Sequence, residues 1–278
     1  MDTETGETID TFAAATAVRP IGDGVYEVEI SDQWKAGRGP HGGYLAAIIL
    51  RGLSETVAAR ERAPRSLTIH YLRAPRPGPA RVRTVIERAG RNLTTLSARL
   101  EQDGALMALA LAAFSLPWDA PELDDDPMPD VAPPEPRSGE RIPLHPMLPR
   151  FTTHMVMQPR FGPIPFAGSQ EPMEAGGWLG LFEPYPIDAP ALALFCDAWW
   201  SPPFGRLTGR GTSPTIDLTI HFRRPLPPDD AAPGGLVLAR FRTGLVHDGF
   251  FENDATIWDA HGRLLAQARQ LALLLMLE

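Results

Sequence analysis

One carboxylate in this sequence stands where a charge is costly. Asp197 is the only charged residue between Pro190 and Trp200, and apolar residues flank it from Leu194 to Trp199. Burying a carboxylate costs free energy unless the group is hydrogen-bonded, and burial raises its pKa. Because perturbed carboxylates are concentrated at functional sites, Asp197 is a candidate general base or nucleophile. The alternative is an aspartate near a helix end whose side chain reaches solvent past Trp200.

A second group of candidates lies at the end of a glycine-rich loop, residues 34–43. An apolar segment at 44–53 follows this loop directly. Gly42 and Gly43 stand where a helix would begin, and the free N–H groups of a helix N-terminus favour a developing negative charge. The pair could therefore hold an oxyanion. A tight turn that needs glycine explains the pair equally well. His41 is a candidate base or substrate-binding residue, although a single loop histidine is more often structural.

The chain contains a duplicated segment. Leu-Thr-Ile-His occurs at 67–70 and again at 218–221, and Asp-Gly-Ala-Leu-Met-Ala at 103–108 corresponds to His-Gly-Arg-Leu-Leu-Ala at 261–266. Apolar and polar residues alternate through 215–222, which is the period of a half-buried strand. The two matches differ in offset mainly because of a longer loop at 225–235, and such an insertion costs little entropy. The sequence therefore predicts two copies of one fold.

The repeat comparison singles out two polar residues in the second copy. Gln270 shares its predicted strand face with small residues, Ala266, Ala268 and Ala272, which leave room for a ligand or water. Its counterpart in the first copy is Ala112, and the counterpart of Thr215 is Pro64, which has neither a hydroxyl nor an N–H. The first-copy helix has no carboxylate, so we predict one catalytic centre per chain. A hydrogen-bonded core amide remains the alternative for Gln270, and Thr215 alone would be an ordinary strand-start threonine.

The predicted elements form two α+β units in which a helix covers one face of an antiparallel sheet. After a short helix at 9–17, the first unit has a helix at 44–53 and strands at 25–30, 66–73, 80–87, 92–102 and 105–116. The second has a helix at 191–200 and strands at 151–158, 176–182, 215–224, 236–243, 250–259 and 263–275. Residues 117–150, rich in proline and acid, are typical of a linker. The predicted domains are 1–116 and 151–278, joined by 117–150, and both apolar helices should lie inside one body.

Composition limits the functional classes. The 278 residues are 44% hydrophobic, which suffices for a sizeable core, and the net charge of -8 argues against a nucleic-acid partner. Cys196 is the only cysteine, and no Cys/His cluster has zinc-ligand spacing, so we expect no disulfide, no metal and no cofactor. There is no long apolar span, and the chain opens with acidic residues rather than a leader. These features predict a soluble, cytoplasmic protein with no membrane partner.

The order of these motifs resembles that of the acyl-CoA thioesterase II family, whose fold is the tandem (double) hotdog. The resemblance extends from about Val25 onward and is carried by His41-Gly42-Gly43, Cys196-Asp197, Thr215-Ile216-Asp217 and Arg269-Gln270. It implies two antiparallel sheets, each wrapped around a long apolar helix. It also implies hydrolysis of an acyl-CoA thioester by an Asp, Thr and Gln trio, here Asp197, Thr215 and Gln270, in the second repeat.

Three interpretations follow, all with acyl-CoA or a related thioester as partner and with a homo-oligomer expected. In a thioesterase of lipid metabolism, Asp197 activates water or attacks the thioester, Thr215 and Gln270 position the water, and the Gly43 N–H polarises the carbonyl. A hotdog hydratase or dehydratase acting on enoyl thioesters needs a histidine paired with a carboxylate, and the sequence shows none beside Asp197. The third interpretation is a non-catalytic acyl-CoA-binding module.

Overall fold

The structure is a computed structural model that describes residues 9–37, 39–57, 59, 61–137, 139–146, 148–232 and 234–277. The first half has helices α1 (Phe12–Ala15) and α2 (Gly42–Val57) and strands β1 (Arg19–Gly22), β2 (Val25–Ile30), β3 (Lys35–Ala36), β4 (Gly39–Pro40), β5 (Ala63–Tyr71), β6 (Gly78–Ala89), β7 (Leu93–Gln102) and β8 (Ala105–Ser115). The second half has helix α3 (Ala189–Phe195) and strands β9 (Met155–Phe161), β10 (Glu174–Leu181), β11 (Gly211–Thr212), β12 (Thr215–Phe222), β13 (Val237–Arg242), β14 (Val246–His247), β15 (Phe250–Trp258), β16 (Leu264–Leu273) and β17 (Leu275–Met276). Every predicted strand is present, with ends that differ by a few residues.

The main sheet is continuous across both halves. Its 13 strands follow the order β1-β2-β6-β7-β8-β5-β12-β16-β15-β13-β10-β9, with β14 beside β15. The sequence predicted two sheets, and they are joined because β5 and β12, the two copies of the repeated segment, pair antiparallel with Thr68 opposite Thr219. Pairing satisfies the backbone groups that each copy would otherwise leave free at its edge. Since Thr68 and Thr219 are equivalent in the repeat, and their hydroxyls lie 3.1 Å apart, a local twofold axis passes between them.

Helices α2 and α3 are the buried helices of the fold. Helix α2 has 16 residues, and every one from Gly43 to Leu50 is buried. Helix α3 has only seven residues, all buried, and begins at the Asp188 cap, whose carboxylate accepts a hydrogen bond from the Ala191 N–H. The two helices contact each other within one core cluster that draws residues from both halves. The halves therefore form one body.

Helix α3 ends earlier than predicted. The sequence placed its end at Trp200, before a pair of prolines, but the last helical residue is Phe195. The Asp197 N–H bonds to the Leu194 carbonyl at 3.1 Å, and the Ala198 N–H bonds to the Phe195 carbonyl at 3.4 Å. These bonds to the third preceding residue tighten and end the α-helix. The prediction of a helix through Trp200 was wrong, and Asp197 lies just beyond the helix rather than within it.

The proline-rich segment 117–150 packs along the second half. The indole N–H of Trp178 donates to the Ala132 carbonyl at 2.9 Å, and that of Trp258 donates to the Asp126 carbonyl at 3.0 Å. Met128 and Val131 pack on a small apolar cluster that contains both tryptophans. The segment thus covers apolar surface that the main core does not reach. In the part of the chain described, no helix is long and apolar enough to cross a membrane.

Cleavage of the chain near Pro133 should leave the two fragments associated. The pairing of β5 with β12 and the shared core hold the halves together independently of this segment. A protease site placed there, followed by size-exclusion chromatography of the cleaved protein, measures the outcome. Elution of two separate, soluble, monomeric fragments would contradict the single-body architecture.

Candidate active site

Asp197 joins the end of one helix to the start of the other. Its Oδ2 accepts a hydrogen bond from the Gly43 N–H at 2.8 Å, and 11% of its side chain is exposed. Gly43 belongs to the first turn of α2, where the helix dipole and free N–H groups stabilise negative charge. The N–H group that sequence analysis assigned to an oxyanion is therefore bound to the Asp197 carboxylate in this structure.

The contact between the helices explains the glycine pair. A Cβ atom on Gly43 would lie 2.7 Å from the Leu194 carbonyl oxygen, and one on Gly42 would lie 2.7 Å from Asp197 Oδ2. Both distances are shorter than carbon–oxygen contacts in proteins allow. At Gly43 the obstructing atoms are backbone atoms of α3, so glycine is required because the end of α3 approaches the N-terminus of α2 closely. At Gly42 the obstructing atom belongs to the Asp197 side chain, which would have to move. Neither reason is the tight turn that the sequence suggested.

His41 precedes α2 and has partners at both ring nitrogens. Nδ1 accepts a hydrogen bond from the Tyr44 N–H at 3.3 Å, so the proton is on Nε2, which donates to the Asp197 main-chain oxygen at 2.9 Å. Burial lowers the pKa of His41, and the nearby Asp197 charge only partly opposes this shift. Neutral His41 therefore caps α2 and holds the backbone of Asp197, and it has no free nitrogen to act as a base.

The position of His41 corrects one expectation. Sequence analysis found no histidine beside Asp197, but Nε2 of His41 lies 3.5 Å from Oδ2 of Asp197. The two residues are 156 positions apart, and only the packing of α2 against α3 brings them together. No sequence spacing carries that information.

Thr215 and Gln270 continue the network on the sheet side. The Thr215 hydroxyl donates to Gln270 Oε1 at 2.9 Å, which leaves the amide NH2 of Gln270 as the donor toward Asp197. Gln270 is buried, and its hydrogen bond to Asp197 lowers the pKa of that carboxyl. The structure thus brings all six predicted site residues into one connected cluster at the boundary between the halves: His41, Gly42, Gly43, Asp197, Thr215 and Gln270.

The electrostatics of the cluster make the Asp197 carboxylate a stronger base than an ordinary aspartate. Burial raises the pKa of Asp197, and the hydrogen bonds from the Gly43 N–H and from Gln270 act in the opposite direction without reversing the shift. Burial and the adjacent Asp197 also raise the pKa of Cys196 above that of an ordinary thiol. Since the thiolate is the nucleophilic form of cysteine, Cys196 is not a nucleophile at neutral pH.

Tyr71 is a site residue that sequence analysis missed. It lies at the end of β5, and its hydroxyl donates to the Gly42 carbonyl at 2.9 Å. Burial first, and then the Asp197 charge, hold the pKa of Tyr71 well above its usual value, so the phenol keeps its proton. The repeat contained the signal, because Phe222 is the counterpart of Tyr71 and only the first copy has the hydroxyl.

Tyr71→Phe should lower kcat about three- to tenfold and leave KM nearly unchanged. The lost hydrogen bond, worth about 0.5–1.5 kcal/mol, fixes the Gly42 peptide and hence the N–H that holds Asp197. Steady-state kinetics measure the effect. Tyr26→Phe is the matched control, because it removes another tyrosine hydroxyl bond, to Thr56 at 2.9 Å, from a buried position outside this network. Equal kcat losses in both variants would argue against a positioning role for Tyr71.

The helices and antiparallel sheet place the protein among hotdog folds. It superimposes with a TM-score of 0.82 on a hot dog protein of unknown function from Alicyclobacillus acidocaldarius, at 22% identity over 98% of this chain and 100% of the other. Residues 30–115 match the family model of the acyl-CoA thioesterase N-terminal domain, and residues 122–274 match that of the C-terminal domain. The chain belongs to the acyl-CoA thioesterase family, and it is a thioester hydrolase.

Two further relatives cover nearly the whole chain. A protein of Thermobifida fusca provisionally assigned as a thioesterase II is 28% identical, with a TM-score of 0.77 over 95% of this chain and 97% of the other. An uncharacterised protein of Mycobacterium tuberculosis is 25% identical over 94% of this chain and 97% of its own length. The similarity therefore includes both halves and the segment between them.

Proposed function

We propose that the protein hydrolyses an acyl-CoA thioester to the free acid and CoA, with Asp197 as the general base. The observation that carries the proposal is a buried carboxylate of raised pKa, held by the Gly43 N–H and by the chain of hydrogen bonds from Thr215 through Gln270. In this scheme Asp197 accepts a proton from water and the water oxygen attacks the thioester carbonyl. The C–S bond then breaks, and the CoA sulfur leaves and takes up the proton.

Asp197 suits the role of base better than that of nucleophile. Oδ2 already accepts a hydrogen bond from Gly43, and Gln270 adds a second donor to the same carboxylate. Hydrogen bonds to a carboxylate reduce its nucleophilicity, while the raised pKa improves it as a proton acceptor near neutral pH. Thr215 and Gln270 in this proposal position the carboxylate rather than the water.

The proximity of His41 to Asp197 favours a second candidate, the enoyl-thioester hydratase or dehydratase. That chemistry requires a histidine that exchanges a proton with the substrate. Both ring nitrogens of His41 are engaged by protein groups, at 3.3 Å and 2.9 Å, which supports hydrolysis instead.

We also propose that residues 1–116 and 151–278 are tandem hotdog repeats, which is the double hotdog architecture. The pairing of β5 with β12 about the Thr68–Thr219 axis supports this assignment. Asp197, Thr215 and Gln270 belong to the second repeat, whereas His41, Gly43 and Tyr71 reach the same site from the first. Assembly as a homo-oligomer stays a prediction.

A panel of acyl-CoA substrates tests the proposed function. Release of free CoA thiol should be seen with at least one class among short, long and aromatic acyl groups, and enoyl-CoA should not be hydrated. Binding of acyl-CoA without thiol release would support the binding module instead. Loss of the enoyl chromophore without thiol release would support the hydratase.

The pH dependence of kcat/KM should show an acid limb above the ordinary aspartate pKa of about 3.9. The base must be ionised, and since burial raises its pKa, activity is lost as the pH falls through that raised value. Gln270→Leu should move the limb to still higher pH, because it removes a hydrogen bond that lowers the pKa. Gln267→Leu, on the opposite face of the same strand, is the control and should leave the limb in place. If the acid limb of Gln270→Leu stays at the same pH, Gln270 does not affect the pKa of the catalytic base.

A further inference from the structure

Asn253 is a buried amide beside the proposed catalytic network. It lies on β15 directly opposite Gln270 of β16, and it is 3% exposed. Opposite residues of an antiparallel pair point to the same face, with Cβ atoms about 5 Å apart. The side chain of Asn253 therefore lies next to that of Gln270 on the inner face of the sheet.

The amide oxygen of Asn253 has no hydrogen-bond partner among the residues that the structure describes, although it is buried. A buried acceptor without a donor destabilises the folded state. The equivalent position in the first half shows that the fold does not need an amide there, because Leu96 lies opposite Ala112 in the same way that Asn253 lies opposite Gln270. A polar residue that costs stability at a position where leucine packs is typical of a functional site.

The chemistry of a water nucleophile supplies a role for this oxygen. A water that directs a lone pair at a carbonyl carbon points its two hydrogens away from that carbon, and each needs an acceptor. Asp197 accepts the hydrogen that is transferred. Gln270 Oε1 already accepts a hydrogen bond from Thr215, so it is less available for the second. Asn253 Oδ1, on the strand that pairs with that of Gln270, is an acceptor with no donor among the residues that the structure describes.

We propose that Asn253 is a catalytic residue that binds the attacking water as its second hydrogen-bond acceptor. The assignment rests on the proposed hydrolysis with Asp197 as base. Two fixed acceptors orient the water so that its lone pair faces the thioester carbonyl, and the Asn253 oxygen also restrains the water when Asp197 removes its proton. Three polar residues specific to the second half then have defined roles. Thr215 and Gln270 hold the base in position, and Asn253 holds the water in position.

Asn253→Leu, which installs the first-half residue, tests the proposal with a straight-chain saturated acyl-CoA whose acyl group has no hydrogen-bond donor. We expect kcat to fall roughly 10- to 100-fold with little change in KM, because the nucleophile loses its orientation. The thermal midpoint should stay the same or rise, since the variant removes an unpaired buried amide. Asn253→Ser, which keeps an oxygen acceptor, should retain more activity than Asn253→Leu and serves if the leucine does not fold.

Three results would overturn the assignment: full kcat in Asn253→Leu, a loss confined to KM, or equal kcat losses in the leucine and serine variants. Asp197→Asn assayed in parallel separates this proposal from the proposed function. If Asp197→Asn is inactive while Asn253→Leu is fully active, only the role of Asn253 fails. If Asp197→Asn is fully active, the general base itself is misassigned.

Discussion

Asp197→Asn should reduce kcat roughly 100-fold or more with little change in KM, the scale expected when a general base is lost. The change is nearly isosteric, and the amide oxygen of asparagine can still accept the Gly43 N–H, so the contact between the helices is kept. Thiol release under saturating acyl-CoA measures kcat, and the concentration dependence gives KM. A purified variant with full activity would remove Asp197 from the mechanism.

Stability provides an internal control for this variant. The folded-state pKa of Asp197 is raised by burial, so its contribution to stability is present below the unfolded-state pKa and is lost as the pH rises through the folded-state pKa. The asparagine variant should therefore be more stable than the parent at neutral pH, and this advantage should shrink in acid. Asp188→Asn is the matched control, because Asp188 is another partly buried carboxylate of raised pKa, at the N-cap of α3, and asparagine caps helices well. It should leave kcat within about twofold of the parent.

Gly43→Ala should lower both stability and activity. An alanine within a helix gains about 1 kcal/mol over glycine, but the added methyl group would lie 2.7 Å from the Leu194 carbonyl oxygen and 3.0 Å from its Cα. Both atoms belong to the backbone, so the end of α3 must move, and overpacking of this kind costs about 1–3 kcal/mol. We expect the steric term to exceed the gain in helix propensity. Because α3 leads into Asp197, a shift of about 1 Å should also cost on the order of 100-fold in kcat.

Thermal unfolding and steady-state kinetics of Gly43→Ala test this expectation. Gly22→Ala is the control, since a Cβ atom at Gly22 meets nothing within 4 Å. An active and more stable Gly43→Ala would show that helix propensity outweighs the contact between the helices, and that the site tolerates displacement of Asp197.

Periodicity and repetition were enough to predict the strands and to single out several residues of the candidate site. Alternation marked β12, and comparison of the two copies singled out Thr215 and Gln270, which are hydrogen-bonded in the structure. Both signals are local, or depend on positions related by one offset. The repeat also holds a signal for Tyr71, because its counterpart in the second copy is Phe222, which has no hydroxyl.

Features that depend on contacts between the halves were not predictable in this way. The proximity of His41 to Asp197 arises from packing between helices that are far apart in sequence, and no periodicity encodes it. The early end of α3 depends on backbone bonds at Asp197, whereas the nearest sequence signal was the proline pair at 202–203. The single sheet depends on which edges pair, and alternation within a strand does not specify its neighbour.

The pairing of β5 with β12 also has a consequence for synthesis of the chain. When the first half leaves the ribosome, the β5 edge has no partner on the side that β12 later occupies, and the face of α2 that meets α3 is uncovered. Exposed strand edges and apolar surface make such intermediates prone to aggregation. Gln270 lies on β16, which follows β12 in the chain, so its hydrogen bond with Thr215 forms only after both of these strands have been made.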